Sequence, residues 1–268
     1  MALRDVQRAP EPRPIIMSSL DPHKAVLISY QAMGFCNPVS VELLDRPVNL
    51  AALELGSRAL DLGCGNAAMA IHLAENHGLK VDAIERSPAV AAIACERLRG
   101  RGAPGAVTLH NVSSKDFLSG GKTYDLLLAA GASGVVEGPP EPLAILKALR
   151  PYVRPGGYLL WADGFWKREP DPMFLAMLGG LAAYKSHAEN IAAGEAAGLT
   201  AYYAGVSTDQ DWDDYTWRMA AAIERWLADN PDDPEAESVR QRGAFMRAAY
   251  LAQGRDSMGF GVYLFRAP

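Results

Sequence analysis

The chain predicts an α/β fold, a largely parallel sheet with helices on both faces. Three observations carry this. From residue 59 to about residue 163, short apolar runs alternate with helical stretches. The runs are nearly continuous in apolar residues, as strands buried on both faces must be. The first run also ends in closely spaced glycines, Asp61-Leu62-Gly63-Cys64-Gly65-Asn66, and leads directly into a helix.

The elements follow in order. Ala59 to Leu62 reads as the first strand and Ala67 to Asn76 as a helix. Lys80 to Glu85 is the second strand, followed by a helix over Pro88 to Leu98. Ala106 to His110 is the third strand, and Tyr124 to Ala129, bounded by Gly120-Gly121 and Gly131, is the fourth. Pro142 to Tyr152 is a helix with proline in its first turn, where a missing N–H does no harm. Gly157 to Ala162 is the fifth strand.

After residue 163 the rhythm changes. Residues 164–185 read as an insertion, Ser186 to Gly198 as a helix and Thr200 to Gly205 as a strand. Two long helical stretches follow, split by Pro231-Asp232-Asp233-Pro234. Thr208 and Asp211 have capping-box spacing at the start of the first. Trp212, Tyr215, Met219, Ile223 and Trp226 share one face of it; Val239, Met246 and Tyr250 repeat the pattern in the second, which ends near Gly254. Met258 to Phe265 is a last strand, so the helical pair over 208–254 is placed as a lid at one edge of the sheet.

Composition narrows the function. With 49% hydrophobic and 21% charged residues, the 268-residue chain has the profile of a soluble globular protein. Residues 1–20, charged and proline-rich, read as a loose leader without a signal peptide's apolar core, and 21–268 as one domain. The apolar run Phe174 to Ala183 is about half a membrane span. A formal net charge of −5 argues against a nucleic-acid partner. Arg97, Arg99 and Arg101 read as a solvated helix end. Cys36, Cys64 and Cys95 match no metal-binding spacing and are expected to be reduced thiols in a cytoplasmic protein. No metal is expected.

The glycine turn admits two ligands. Gly63-x-Gly65-x-x-Ala68 fits the relaxed dinucleotide fingerprint, and Glu85 stands about where either fold keeps a ribose-binding carboxylate. Asp61 tips the balance. A carboxylate at the strand end repels a pyrophosphate, whereas S-adenosylmethionine carries no phosphate and offers an ammonium group. A plainer alternative is that Asp61 only caps the turn.

The segments ALDLGCGNAA, VDAIERS, TLHNVS, YDLLLAAGAS and LRPYVRPGGYLLWADGFW, in this order between residues 59 and 166, resemble the class I S-adenosylmethionine-dependent methyltransferases. Within that family the chain is most similar to the small-molecule branch often labelled UbiE-like. The resemblance implies a Rossmann-like, doubly wound seven-stranded sheet of order 3-2-1-4-5-7-6, its last strand antiparallel. It implies S-adenosyl-L-methionine as cofactor, S-adenosyl-L-homocysteine as product and a small-molecule acceptor. It places the cofactor's amino-acid end at Asp61, Gly63, Cys64, Gly65 and Asn66, and the ribose at Glu85 beside Arg86. Asn111, where the family usually has aspartate, would reach the adenine amino group through its amide oxygen, with the Val112 N–H on the ring; a turn-forming asparagine is the alternative. Ala129 and Ala130, before Gly131, would pass the methionine part. Ala67 departs from the family, many members of which carry a third glycine there.

The acceptor site is expected above the carboxyl ends of the strands. Candidates are Tyr30, Ser133, Asp163, Trp166, Trp212 and Tyr215, with residues 164–185 and 208–254 enclosing them. Trp212 and Tyr215 are equally readable as core. His187 is more simply a cap or surface residue than a base, and Arg255 either pairs with a neighbour or binds an acidic acceptor. No general base is assigned. The aromatic-rich lid reads equally as a homodimer contact. Other S-adenosylmethionine chemistry such as cyclisation, and a non-catalytic cofactor-binding role, remain alternatives; a nicotinamide-dependent dehydrogenase is a distant third.

Overall fold

A computed structural model describes residues 22–99, 101, 105–132, 140–178 and 184–268. Among these the strands form one seven-stranded sheet, order β3-β2-β1-β4-β5-β7-β6: β1 Arg58–Leu62, β2 Lys80–Ile84, β3 Val107–His110, β4 Tyr124–Ala130, β5 Val153–Trp166, β6 Thr200–Val206 and β7 Met258–Arg266. β1 to β5 pair in parallel; β7 runs antiparallel to both β5 and β6. The chain winds from β1 outward through β2 to β3, then returns to β4 on the other side of β1. That reversal opens a crevice between the carboxyl ends of β1 and β4.

Helices α1 Lys24–Ala32, α2 Val41–Ala51, α3 Ala68–His77, α4 Pro88–Arg99 and α5 Ser114–Leu118 come first. α6 Pro142–Leu149, α7 Pro172–Leu178, α8 His187–Ala196, α9 Asp209–Asp229 and α10 Ala236–Ala249 complete the set. One sheet face packs Leu126, Leu128, Leu160 and Leu264 against α2 and α3; the other packs Leu127, Leu159, Trp161 and Phe265 beneath α6 and α8. Strand alternation sends neighbouring residues to opposite sides, so both faces are apolar.

A third apolar cluster lies apart from these. Ala25, Ile28 and Met33 from α1 pack on Met219, Ile223 and Leu227 of α9 and Val239 of α10. The helical pair expected over 208–254 is therefore part of a three-helix unit that α1 completes. The Thr208–Asp211 capping box forms with both reciprocal hydrogen bonds, and a second one, Ser186 with Glu189, starts α8. The fifth strand is longer than Gly157 to Ala162, because β7 pairs with it from Tyr158 through Trp166 and draws residues 164–166 into the sheet. The helix expected over Pro142 to Tyr152 closes with a 3₁₀ turn at Arg150–Tyr152. Among the described residues, no helix is long and apolar enough to cross a membrane.

Candidate active site

The crevice opens into a cavity of about 1170 Å³ between the strand ends and helices α1, α9 and α10. Its floor is the turn after β1. Gly63 and Gly65 take φ +75° and +56°, a backbone region that glycine enters without steric cost. The N–H groups of Gly63 and Cys64 both donate to the Ile84 carbonyl, at 2.9 and 2.8 Å, which curls the chain tightly over β2. A Cβ on Gly63 would stand 2.8 Å from the Ala132 Cβ, and one on Gly65 3.2 Å from Cys36 Sγ. Side chains would thus fill the cradle that the glycines keep open. Ala67 also adopts the left-handed region, φ 60°, and is fully buried. The turn keeps its shape there at a cost of about 1–2 kcal/mol that a third glycine would avoid.

Asp61 stands at the end of β1, 2% exposed, and its Oδ2 has no hydrogen-bond partner. Burial, reinforced by the charge of Glu85, pushes its carboxyl up to about 7. A buried acceptor without a donor costs about 1–3 kcal/mol. Glu85 lies twenty residues after Gly65, just past the end of β2. Its Oε2 accepts from the Gly65 N–H at 3.2 Å and its Oε1 from the Ser87 N–H at 2.8 Å. Burial raises its pKa, against these hydrogen bonds. The two backbone donors fix the carboxylate while leaving acceptor capacity on each oxygen.

Asn66 acts differently from its neighbours. Its amide nitrogen donates to the carbonyls of Tyr30, Met33 and Gly34 at 2.9, 3.2 and 2.9 Å, and its Oδ1 accepts from Ala68 N–H at 3.1 Å. The side chain is spent on tying the end of α1 to the glycine turn. Arg97, expected in a solvated helix end, joins this clamp by donating to the Met33 carbonyl at 2.6 Å. Sequence patterns could not disclose either contact, since both reach a segment more than thirty residues away.

The cavity collects Tyr30, Asp61, Gly63, Cys64, Gly65, Asn66, Glu85, Arg86, Ala130 and Tyr215 of the expected residues. The others lie elsewhere. Ala129 is fully buried in the sheet core, because alternation along β4 turns it from the crevice that Ala130 faces. Asn111 and Val112 are exposed; Asn111 Nδ2 donates to the Glu85 carbonyl at 2.8 Å, which sets the amide beside the Glu85 loop rather than on the cavity wall. Trp212 stacks on Tyr250 at 6.1 Å between ring centres and does not line the cavity. Asp163 accepts from the Gly164 N–H at 2.7 Å, its carboxyl pushed up to about 6 by burial. Trp166 packs against Phe174 and Tyr184. Neither they nor any other described residue of 164–185 reaches the cavity. Ser133 lies outside the described residues, as does the leader.

Two open alternatives close. Arg255 forks onto Asp213, with Nη2 to Oδ2 at 3.0 Å and Nε to Oδ1 at 3.1 Å, so it is a structural pair. His187 Nδ1 sits 3.1 Å from the Tyr263 hydroxyl under the Phe165 ring, a packing role. The structure also shows one grouping the sequence hides: His72 and His77 both place Nε2 on Asp45 Oδ1, at 2.6 and 2.7 Å, tying α3 to α2.

An open α/β sheet of this order thus holds a glycine turn, an acidic strand end without a donor and a backbone-held glutamate at its switch point. A family model described as a methyltransferase domain matches residues 60–159. Residues 60–159 therefore carry a methyltransferase domain, on a fold shared with S-adenosylmethionine-dependent methyltransferases. It is similar to a SAM-dependent methyltransferase of Geobacter sulfurreducens, solved with S-adenosyl-L-homocysteine, at 25% identity and a TM-score of 0.82, covering 93% of this chain and 100% of that one. It is 24% identical over 230 residues to the uncharacterized protein YjhP of Escherichia coli, covering 85% of this chain and 91% of that protein. A ubiquinone biosynthesis O-methyltransferase of Xanthomonas oryzae is 30% identical over 145 residues, so this chain spans about half (55%) of that relative.

Proposed function

We propose that the chain transfers a methyl group from S-adenosyl-L-methionine to a small-molecule acceptor held between the glycine turn and the lid. The observation that carries this is the orphaned Asp61 Oδ2, buried beside a glycine cradle at the floor of the cavity. A carboxylate there fits an ammonium group. When bound, the cofactor supplies an activated methyl carbon open to in-line displacement. The chain's own work is then binding, alignment and exclusion of water.

In this reading Asp61 takes the ammonium, Glu85 the ribose hydroxyls, and Gly63, Gly65 and Ala130 give the backbone room to approach. Tyr30 and Tyr215 wall the acceptor side with Met219 and Met246. Asn66 holds that wall in register through the Tyr30, Met33 and Gly34 carbonyls. The O-methyltransferase relative supports a small organic acceptor, and the net charge of −5 argues against nucleic acid. The unpaired cysteines support a cytoplasmic setting.

Calorimetry with S-adenosylmethionine, S-adenosylhomocysteine and NAD tests the cofactor: binding of NAD alone overturns the reading. Incubation with methyl-labelled cofactor and a metabolite extract tests the chemistry by mass spectrometry. Label in a new metabolite is expected. Cofactor consumption without a labelled product would point to other chemistry on the same fold.

A further inference from the structure

The cavity is far larger than its glycine floor, and its outer wall is one face of α10. Ser238, Gln241, Arg242, Phe245 and Met246 follow at intervals of three, one, three and one, which puts them on a single side of the helix facing the crevice. Most of this wall is apolar or neutral. Arg242 is the exception. Its guanidinium lies over the Phe245 ring, 5.8 Å from the centre, and its Nε is buried without a hydrogen-bond partner.

The other charges at this end are already neutralised. Lys24 meets Asp233 at 2.8 Å and Glu235 at 3.3 Å. The His23 ring nitrogen sits 2.7 Å from Ser238 Oγ, and burial together with the Arg242 charge lowers its pKa. Among the described residues, Arg242 has neither a carboxylate nor a carbonyl partner. A part-buried cation with an unsatisfied N–H is costly, and a planar guanidinium is suited to take an oxyanion through two parallel hydrogen bonds.

Building on the methyl-transfer reading above, we propose that Arg242 is the anion-binding residue of the acceptor site. The acceptor is then an apolar molecule bearing a carboxylate or phosphate monoester. Its apolar body lies against Tyr30, Tyr215, Met219 and Phe245. The oxyanion sits on the lid side, and the nucleophilic atom faces the glycine turn. The acidic groups of the cavity floor, Asp61 and Glu85, repel the oxyanion and so set the acceptor's direction.

The test is calorimetry on protein loaded with S-adenosylhomocysteine, using benzoate and phenyl phosphate against the neutral methyl benzoate. At least one anion is expected to bind tenfold or more tighter than the ester; which of the two binds better distinguishes carboxylate from phosphate. Arg242→Gln is expected to erase that preference with S-adenosylhomocysteine affinity unchanged and no fall in melting temperature, and Arg242→Lys to restore part of it. Equal binding of ester and anions, failure of both anions to bind, or an undiminished preference in Arg242→Gln would overturn the proposal. Should S-adenosylhomocysteine itself fail to bind, the cofactor reading falls; the comparison of anions with ester on the free protein still decides the anion site.

Discussion

Asp61 gives the sharpest handle on the site. In the free protein its carboxyl is held near 7 by burial and by the charge of Glu85. A bound ammonium favours the charged form, so binding must expel the proton wherever Asp61 carries one. The affinity penalty is the factor 1 + 10^(pKa − pH). With a pKa of about 7, it grows from near unity at pH 7.5 to roughly thirtyfold at pH 5.5, over which range an amino group of ordinary pKa stays mostly protonated. Calorimetry in two buffers of different ionisation enthalpy should show release of about one proton per cofactor at pH 5.5 and much less at pH 7.5. Asp61→Asn should bind weakly throughout and with a flattened pH slope, Glu85 contributing what remains. The same substitution should stabilise the free protein above neutral pH. The folded pKa lies above the unfolded one, so Asp61's contribution is fully present below about pH 4 and is lost as pH rises toward 7. Removing the charge should recover on the order of a few kcal/mol, visible as a higher melting temperature at pH 8. A pH slope identical in wild type and Asp61→Asn would refute the assignment.

Three further outcomes follow from the geometry. Glu85→Ala should lower S-adenosylhomocysteine affinity at least tenfold while circular dichroism stays native; unchanged affinity would remove Glu85 from the site. Asn66→Ala leaves the Tyr30 and Gly34 carbonyls and the Ala68 N–H short of a partner, while Met33 keeps Arg97. It should cost about 2–4 kcal/mol, a fall of several degrees in a thermal melt, and should speed protease cleavage between α1 and α2. Gly63→Ala meets both a positive φ and the Ala132 Cβ at 2.8 Å, so calorimetry should show cofactor affinity falling more steeply than melting temperature.

Legibility in the sequence followed how local each signal was. The β1 turn was readable because Gly63, Gly65 and Asp61 are neighbours, and positive φ at a strand end demands glycine. The Thr208–Asp211 capping box was readable for the same reason. Strand β5 was underestimated because Gly164 and Trp166 look like loop residues until β7 pairs with them. Trp212 and Tyr215, only three residues apart on α9, divide between core and cavity, Trp212 stacking on Tyr250 just past α10 and Tyr215 facing the cavity. α1 itself carries a weak amphipathic pattern, and its place in the three-helix unit rests on contacts with residues about two hundred positions away.

By itself, then, the sequence determined the parallel core, the glycine turn and the carboxylates at two strand ends, since strand period, turn chemistry and helix caps act over a few residues. Tertiary structure alone decided that Asp61 Oδ2 is orphaned, that Asn66 ties the end of α1 to the glycine turn, and that Arg242 lines the cavity without a carboxylate partner among the described residues. Burial and charge pairing depend on which distant segments share a space, and chain spacing does not encode that directly.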